Sequence, residues 1–130
     1  MRLALGVALT LVSATAGAVG LGPLSKSGIT DGAGKAFYLT LSNPYPTIER
    51  FHANGLMLDS ELDPGRVIIF PSHVALGPQA RRQLLIIVRG LTPGERFTFR
   101  VCAGRDPKPE ETVYARVCST LTAHRLPART

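Results

Sequence analysis

The sequence predicts an all-β sandwich of about seven strands, and three observations lead to this expectation. Short segments in which apolar and polar residues alternate recur about every ten residues, with Gly and Pro between them. No stretch of the chain carries a convincing helical period of apolar residues. The last two strand-like segments each contain one of the chain's 2 cysteines, and one antiparallel register pairs these cysteines and their neighbours consistently.

That register belongs to a terminal hairpin, whose strands are predicted at Glu95–Ala103 and Thr112–Ala123. Strand side chains alternate between the two faces of a sheet, so a slip of one residue would turn every apolar partner outward. Pairing Cys102 with Cys118 instead sets apolar residues against apolar residues and polar against polar. The neighbouring pairs are Phe99 with Leu121 and Arg100 with Thr120.

A disulfide between Cys102 and Cys118 is predicted because the chain carries an export signal, described next, and an oxidising compartment favours the bridge. Both cysteines fall in the polar series of their strands, so the bridge should lie on the outer face of the sheet and fix its register. A thiolate metal site is not expected, because none of the 3 histidines stands at zinc-like spacing from a cysteine.

The amino terminus predicts export. Residues 1–18 resemble a secretory signal peptide, with Arg2 before the apolar stretch Leu3–Val12 and small residues up to Ala18. The stretch is shorter than the roughly 20 apolar residues of a membrane span, and an uncleaved anchor is the alternative. The predicted organisation is a leader at 1–18, one domain at 19–127 and a tail at 128–130.

Three segments in the first half of the domain are predicted to contain strands. Val19–Gly34 is rich in Gly and small residues and should form a loosely held first strand followed by a loop. Lys35–Ser42 alternates cleanly and stops at an Asn-Pro pair. Glu49–Ala53 is a weaker strand that should end at the Asn-Gly pair after it.

The second half continues the pattern. Arg66–Phe70 is apolar and β-branched, and Pro71 separates it from a further short strand at Val74–Leu76. Arg82–Val88 has apolar residues on both faces, so it should lie centrally in its sheet or be covered on both sides. A Pro-Gly turn then leads into the terminal hairpin.

Composition and motifs exclude several functions. The 15 basic residues exceed the 9 acidic ones, giving a net charge of +6 that suits an acidic partner or a solvated surface. Nucleic acid is not expected, because basic runs and aromatics interleaved with Lys and Arg are missing from the sequence. No catalytic or phosphate-binding motif occurs either, so we expect a protein that is not an enzyme and uses no cofactor.

Two groups of polar residues have a structural explanation. Asp59, Glu61 and Asp63 form an acidic cluster, but they lack the ligand pattern of a calcium loop and are expected to be solvated. His52 and His73 lie beside predicted strand ends and are expected to be surface or hydrogen-bonded structural residues.

A family resemblance rests on three segments. They are Lys35–Pro44 (KAFYLTLSNP), Ile69-Phe70-Pro71 with Leu76-Gly77-Pro78 and Arg82, and Gly94-Glu95-Arg96-Phe97 leading into Arg100-Val101. Together they resemble the amino-terminal immunoglobulin-like domain of the PapD-like periplasmic pilus-assembly chaperones, over roughly Gly28–Pro127. Leu91–Val101 also resembles the corner of a fibronectin type III domain.

The resemblance implies a periplasmic, chaperone-like protein that binds pilus or other surface-protein subunits through its terminal edge strand. Such β-augmentation takes affinity from main-chain pairing and selectivity from alternate side chains. The apolar side chains implied to fill the partner's groove could instead face this domain's own core. They are Val113, Ala115, Val117 and Leu121.

The resemblance also implies that two cations hold the carboxyl terminus of the bound subunit. The family's basic positions appear here as Ser27 and Thr122, so the nearest candidate anchors are Lys26 and Arg125. Those chaperones carry a second immunoglobulin-like domain that is not present in this sequence.

A second class of function stays open. The chain could be a non-catalytic structural or adhesive surface module of immunoglobulin or fibronectin type. In that case a basic face formed by Arg96, Arg100 and Arg116 would contact anionic components of the cell envelope.

Overall fold

The computed structural model describes residue 6, residues 20–111 and residues 115–129. These residues form an all-β sandwich of two sheets with no helix, which confirms the predicted fold class. The predicted leader lies almost wholly outside the described residues, and no described helix is long and apolar enough to cross a bilayer. The strands are β1 (Gly20–Gly22), β2 (Ser25–Thr30), β3 (Lys35–Ser42), β4 (Glu49–Met57), β5 (Val67–Phe70), β6 (His73–Leu76), β7 (Arg81–Val88), β8 (Arg96–Arg105) and β9 (Arg116–Arg125).

The two sheets have the strand orders β1-β3-β7-β5, here called sheet A, and β2-β9-β8-β4-β6, here called sheet B. Every neighbouring pair is antiparallel except β2 and β9, which run parallel. The described residues form nine strands where about seven were expected, because the chain twice leaves one sheet for the other within a single extended segment. These crossings lie at Pro23, between β1 and β2, and at Pro71, between β5 and β6.

The core lies between the inner faces of the two sheets. β3 alternates as predicted, with Phe37, Leu39 and Leu41 buried and the residues between them exposed. From sheet B, Phe99 is fully buried and meets the Phe37 ring edge-on at a centroid distance of 6.4 Å. Each such side chain stabilises the fold by about 1.5–3 kcal/mol through removal from water.

β7 occupies the central position that its sequence predicts, between β3 and β5. Its inner residues Leu84, Ile86 and Val88 are fully buried. Leu85 and Ile87 on the outer face are only half-buried, because no second layer covers that face in the described part of the chain.

The amino-terminal segment corrects the prediction of one loosely held strand. β1 pairs with β3 in sheet A, with Leu21 buried in the core, whereas β2 pairs with β9 along its whole length in sheet B. The segment is therefore built into both sheets. Its Gly- and Ser-rich composition hides this, because the strand is held by main-chain pairing and has few apolar side chains.

β4 also differs from its prediction, since it continues through Asn54-Gly55 to Met57. The Gly55 position is needed for close packing between the sheets. A Cβ built there would lie 2.9 Å from a methyl carbon of Val67 in β5, closer than real Cβ contacts. The glycine therefore permits close approach of another element and does not mark a turn.

Asn43 closes the corner after β3 and is 1% exposed. Its amide nitrogen donates hydrogen bonds to the carbonyl oxygens of Thr47, Leu76 and Gly77 at 2.9, 2.9 and 3.0 Å. Its Oδ1 accepts a hydrogen bond from the Tyr45 N–H at 2.9 Å. One buried side chain thus satisfies the backbone at the ends of two loops.

An ion pair ties the turn before β8 to the start of β5. The Arg66 guanidinium donates to both carboxylate oxygens of Glu95, at 2.8 and 2.9 Å, and stacks over the Phe97 ring at 4.5 Å. The hydrogen bond from Arg66, and a backbone hydrogen bond from Thr92, lower the pKa of Glu95 to about 2 from an ordinary value of 4.5. The carboxylate is therefore charged throughout the neutral range.

Candidate partner-binding edge

The terminal hairpin has the register predicted from its sequence. Cys102 pairs with Cys118 across β8 and β9, their sulfurs are bonded, and their Cα atoms are 4.0 Å apart. The bridge lies in the outward-facing series of both strands, with Cys102 only 3% exposed. Phe99 with Leu121 and Arg100 with Thr120 are the flanking pairs that were expected.

β9 is an edge strand over only part of its length. β2 pairs with it from Ser25 opposite Thr120 to Thr30 opposite Arg125. The β2 ladder does not reach Arg116–Ser119, and no other described strand forms a ladder with the outer side of that stretch. This stretch of β9 is called the open edge below.

The open edge ends at a defined point. The Ser119 hydroxyl donates a 2.7 Å hydrogen bond to the Pro23 carbonyl, and the Thr120 N–H donates to the Leu24 carbonyl at 2.9 Å. Both contacts join β9 to the segment that leads into β2. Sequence reasoning missed this closure, because Ser119 falls among inward-facing apolar residues and carries no motif.

The backbone of Cys118 points toward the open side. In an antiparallel pair, close Cα atoms mark a non-hydrogen-bonded pair, whose N–H and C=O groups point away from the partner strand. The 4.0 Å separation of Cys102 and Cys118 places them in this class. The outward bond from the Thr120 N–H, two residues further on, follows the same alternation. The open edge therefore presents a main-chain donor and acceptor at Cys118.

The four predicted donor residues do not share one environment. Val113 lies outside the described residues, and Ala115 is exposed just before β9. Val117 lies on the open edge, half-buried against the core. Leu121 is fully buried in this domain's own core and is paired beyond the end of the open edge, which rules it out as a groove-filling residue in this fold.

The candidate carboxylate anchors do not converge. Lys26 lies opposite Leu121 and Arg125 opposite Thr30, so they stand four residues apart along the paired strands, about 13 Å at ordinary strand rise. The Arg125 guanidinium also donates a 2.6 Å hydrogen bond to the Leu91 carbonyl. The structure therefore offers no support for a two-cation clamp formed by these residues, and they are left out of the proposed site.

The two residues that occupy the positions of the family's cations are direct neighbours on adjacent strands. Ser27 lies opposite Thr122 in the β2–β9 register. Both line a surface cavity of about 410 Å³, together with Arg96 and His124. The pairing of these positions follows from the register, although neither carries a cation.

The predicted basic face is largely compensated. The Glu61 carboxylate accepts hydrogen bonds from Arg116 at 2.6 and 2.7 Å and from Arg100 at 3.3 Å. The bond from Arg116 is the main cause that lowers the pKa of Glu61 to about 2. The acidic cluster is therefore partly ion-paired, which differs from the solvated loop expected. Asp63 accepts a hydrogen bond from the Gly65 N–H, and the described residues contain no group of three metal-ligating side chains.

His52 is a hydrogen-bonded residue, as expected. Its Nδ1 lies 2.7 Å from an Asp106 carboxylate oxygen at the start of the hairpin tip. Its ring is 6.3 Å from that of His73, its cross-strand partner on β6. The Ser72 hydroxyl contacts Nδ1 of His73 at 3.3 Å.

The chain matches no family model and no curated protein by sequence. Its fold, in contrast, matches solved structures closely. The E. coli chaperone DraB superposes with a TM-score of 0.68 at 17% identity, over 87% of this chain and 57% of DraB. The SafB chaperone of Salmonella enterica, solved in complex with the SafA pilin, gives a TM-score of 0.69 at 17% identity, over 91% of this chain and 59% of the other.

A single PapD-like domain of human CEP192 matches equally well. It gives a TM-score of 0.67 at 12% identity and covers 99% of this chain and 100% of that domain. The chain thus spans less than three fifths of the chaperones DraB and SafB and the whole of the isolated human domain. These likenesses show a PapD-like immunoglobulin fold, which confirms the resemblance drawn from the sequence.

Proposed function

We propose that this chain is a non-catalytic, chaperone-like protein that binds pilin-like subunits by β-augmentation at the open edge of β9. The observation that carries the proposal is the outward-directed main chain of Cys118, which no described strand covers, in a strand whose next residues are covered by β2. A partner strand there would gain main-chain hydrogen bonds without displacing any strand of the described fold.

The side chains next to the open edge fit the same role. Ala115 and Val117 have the alternate spacing of residues that share one face of a strand. Ala115 is exposed and Val117 only half-buried, so both retain apolar surface that a partner can cover. The proposal extends this series to Val113, outside the described residues. Leu121, Lys26 and Arg125 are not part of the proposed site.

The similarity to chaperone structures supports the proposal at the level of the fold. One of those chaperones was solved in complex with a pilin. Export to the periplasm is part of the proposal and is supported by the predicted leader and by the disulfide. Identification of the amino-terminal residue of the exported protein would test it: a mature chain that still begins at Met1 would contradict cleavage near Ala18.

Backbone recognition can be tested by a proline at Arg116, with Arg116→Ala as the matched control. Arg116 lies two residues before Cys118 in β9, and backbone groups two residues apart in a strand point to the same side, so the Arg116 N–H is directed away from β8. Proline at an edge position removes that donor and leaves the bonds to β8 intact. Both variants lose the ion pair to Glu61 equally.

The assay is capture of a purified pilin-like subunit from the same organism, measured as the amount kept soluble on refolding. We expect Arg116→Ala to capture the subunit nearly as well as the wild type does. Arg116→Pro should bind at least tenfold more weakly, because it loses about one hydrogen bond and disturbs the strand geometry around it. Equal capture by the two variants would exclude main-chain pairing at the open edge. Ala115→Asp provides an independent check, since it places a charge in the partner's groove without touching the core.

A further inference from the structure

The outer face of sheet A carries an apolar patch that spans three strands. Two cross-strand rows form it, and each row contains one residue from β3, one from β7 and one from β5. Phe70 is 67% exposed, Tyr38 50% and Ile68 40%. This patch is called the sheet A patch below. Its rows are Tyr38, Leu85 and Phe70, and Ala36, Ile87 and Ile68.

Exposed apolar residues that join into one patch often mark a contact surface. Single exposed apolar residues need no explanation. Here six neighbours in register share one face, and two of them are large aromatic rings. The patch lies on the opposite sheet from the open edge, so the proposed partner strand does not cover it.

The charge around the sheet A patch has one sign. The four strands of sheet A contain Lys35, Arg81 and Arg82 and no Asp or Glu. Arg89 follows directly after β7, so exposed arginines stand beyond both ends of the Leu85–Ile87 pair. The side chains of Arg81, Arg82 and Arg89 form no hydrogen bond or ion pair with any described residue.

In sheet B, three of the arginines are paired with carboxylates. Arg100 and Arg116 pair with Glu61, and Arg105 pairs with Glu49 and Glu111. The exposed arginines Arg81 and Arg89, which have no acidic partner among the described residues, favour an anionic partner over a second copy of the chain, whose own arginines would face these.

The course of the chain favours a bilayer over an acidic protein. Residues 1–19 lead into Gly20, the first residue of β1, and β1 is the edge strand of sheet A. Before its cleavage, a leader that inserts into the membrane during export would bring this sheet to the bilayer surface. Aromatic side chains such as Tyr38 and Phe70 suit the interfacial region, and arginines suit anionic headgroups.

We propose that the sheet A patch docks the exported protein on an anionic phospholipid bilayer, with Tyr38 and Phe70 entering the interface and Arg81 and Arg89 contacting lipid phosphates. Binding is peripheral and adds a membrane-facing surface to the subunit-binding edge. The two surfaces belong to different sheets, so both can be occupied at once.

The test uses a chain starting at Val19, because all nine strands lie between Gly20 and Arg125. Cosedimentation is measured with vesicles of phosphatidylcholine containing about a quarter phosphatidylglycerol, and with phosphatidylcholine alone. We expect binding to the anionic vesicles and at least tenfold weaker binding of Tyr38→Ser/Phe70→Ser, because each ring loses apolar burial. Ile48→Ser is the matched control, since Ile48 is 72% exposed but belongs to neither sheet.

The charge contribution has its own control. About 1 kcal/mol per cation near an anionic surface corresponds to about fivefold in binding, so Arg81→Gln should weaken binding fivefold and Arg81→Gln/Arg89→Gln about 25-fold. Arg96→Gln removes the same charge from sheet B and should change binding less than twofold.

Three results would overturn the assignment. The first is that the wild type does not bind the anionic vesicles. The second is that the Ile48 or Arg96 control weakens vesicle binding as much as the substitutions in sheet A do. The third is that substitutions in the sheet A patch abolish self-association or binding to an acidic protein while vesicle binding persists. Capture of pilin-like subunits should be unaffected by Phe70→Ser, which separates this inference from the proposed function. Circular dichroism should show unchanged folding, since Phe70 is largely exposed.

Discussion

Removal of the disulfide offers a quantitative test of the hairpin. The bridge joins residues 16 positions apart. In the chain-entropy treatment, opening a loop of this length releases about 10 cal/mol/K in the unfolded chain, or about 3 kcal/mol at 25 °C. For a domain of about 110 residues, whose unfolding entropy is about 230 cal/mol/K, this corresponds to a fall in Tm of about 13 °C.

The perturbation is Cys102→Ala/Cys118→Ala, followed by thermal and urea unfolding with far-ultraviolet circular dichroism. The bridge lies on the outer face of sheet B and the core pair Phe99–Leu121 is untouched, so the double variant should still fold with the same register. Reduction of the wild type is the matched control and should reproduce the loss to within about 1 kcal/mol, because it opens the same loop without changing the core.

A fall in Tm of less than about 3 °C would refute this reasoning. It would mean that residues 103–117 are already constrained in the unfolded chain, or that the closed bridge strains the native hairpin by nearly as much as it stabilises it. A loss well above the reduced control would instead place the effect in packing around Cys102.

The remaining predictions concern an ion pair, a packing contact and a corner. The pKa of Glu95 is lowered to about 2 from 4.5, so its pair with Arg66 stabilises the fold above pH 4.5, and this stabilisation is lost as the pH falls toward 2. Glu95→Gln should therefore make Tm depend less on pH between these two values. Gly55→Ala should cost about 1–3 kcal/mol by urea unfolding, because its Cβ meets Val67 at 2.9 Å, and in a double-mutant cycle Val67→Ala should recover part of that cost. Asn43→Ala should cost about 3 kcal/mol or more by the same assay, since it leaves buried backbone groups unsatisfied; a loss below 1 kcal/mol would show that water replaces the amide.

The elements that could be predicted from sequence are those in which apolar and polar side chains alternate regularly. β3 has the predicted bounds because its alternation is unbroken and an Asn-Pro pair follows it. The terminal hairpin has the predicted register because two cysteines and two flanking pairs agree on it. In both cases the information is local, or is repeated at several positions.

The amino-terminal strands could not be predicted in this way. β2 reads SKSGIT, with no alternation of buried residues, and it is held in sheet B by parallel pairing to a strand about 95 residues away in sequence. Single-sequence patterns contain no signal for such a distant main-chain contact. The extension of β4 was hidden for a different reason, since Asn-Gly usually marks a turn, whereas here Gly55 makes room for Val67.

The candidate site was predictable in its strand but not in its extent. Strand parity places Val117 and Leu121 on one face, yet only the partner strands show which residues belong to the domain's own core. Leu121 lies where β2 covers β9, and Val117 lies before that cover begins. The boundary between core and binding surface is therefore set by the length of β2, for which the sequence of β9 holds no information.

The position of Pro23 explains where that boundary falls. β1 ends at Gly22 in sheet A, and the chain joins sheet B only after Pro23, whose carbonyl accepts the Ser119 hydroxyl. Proline has no N–H to offer a neighbouring strand, so pairing with β9 starts beyond it, at the Leu24 carbonyl. As a direct result, no described strand covers the outer side of Val117 and Cys118. A partner strand bound there would continue the line of β2 along β9, and sheet B would keep its strand order with an edge supplied by two chains.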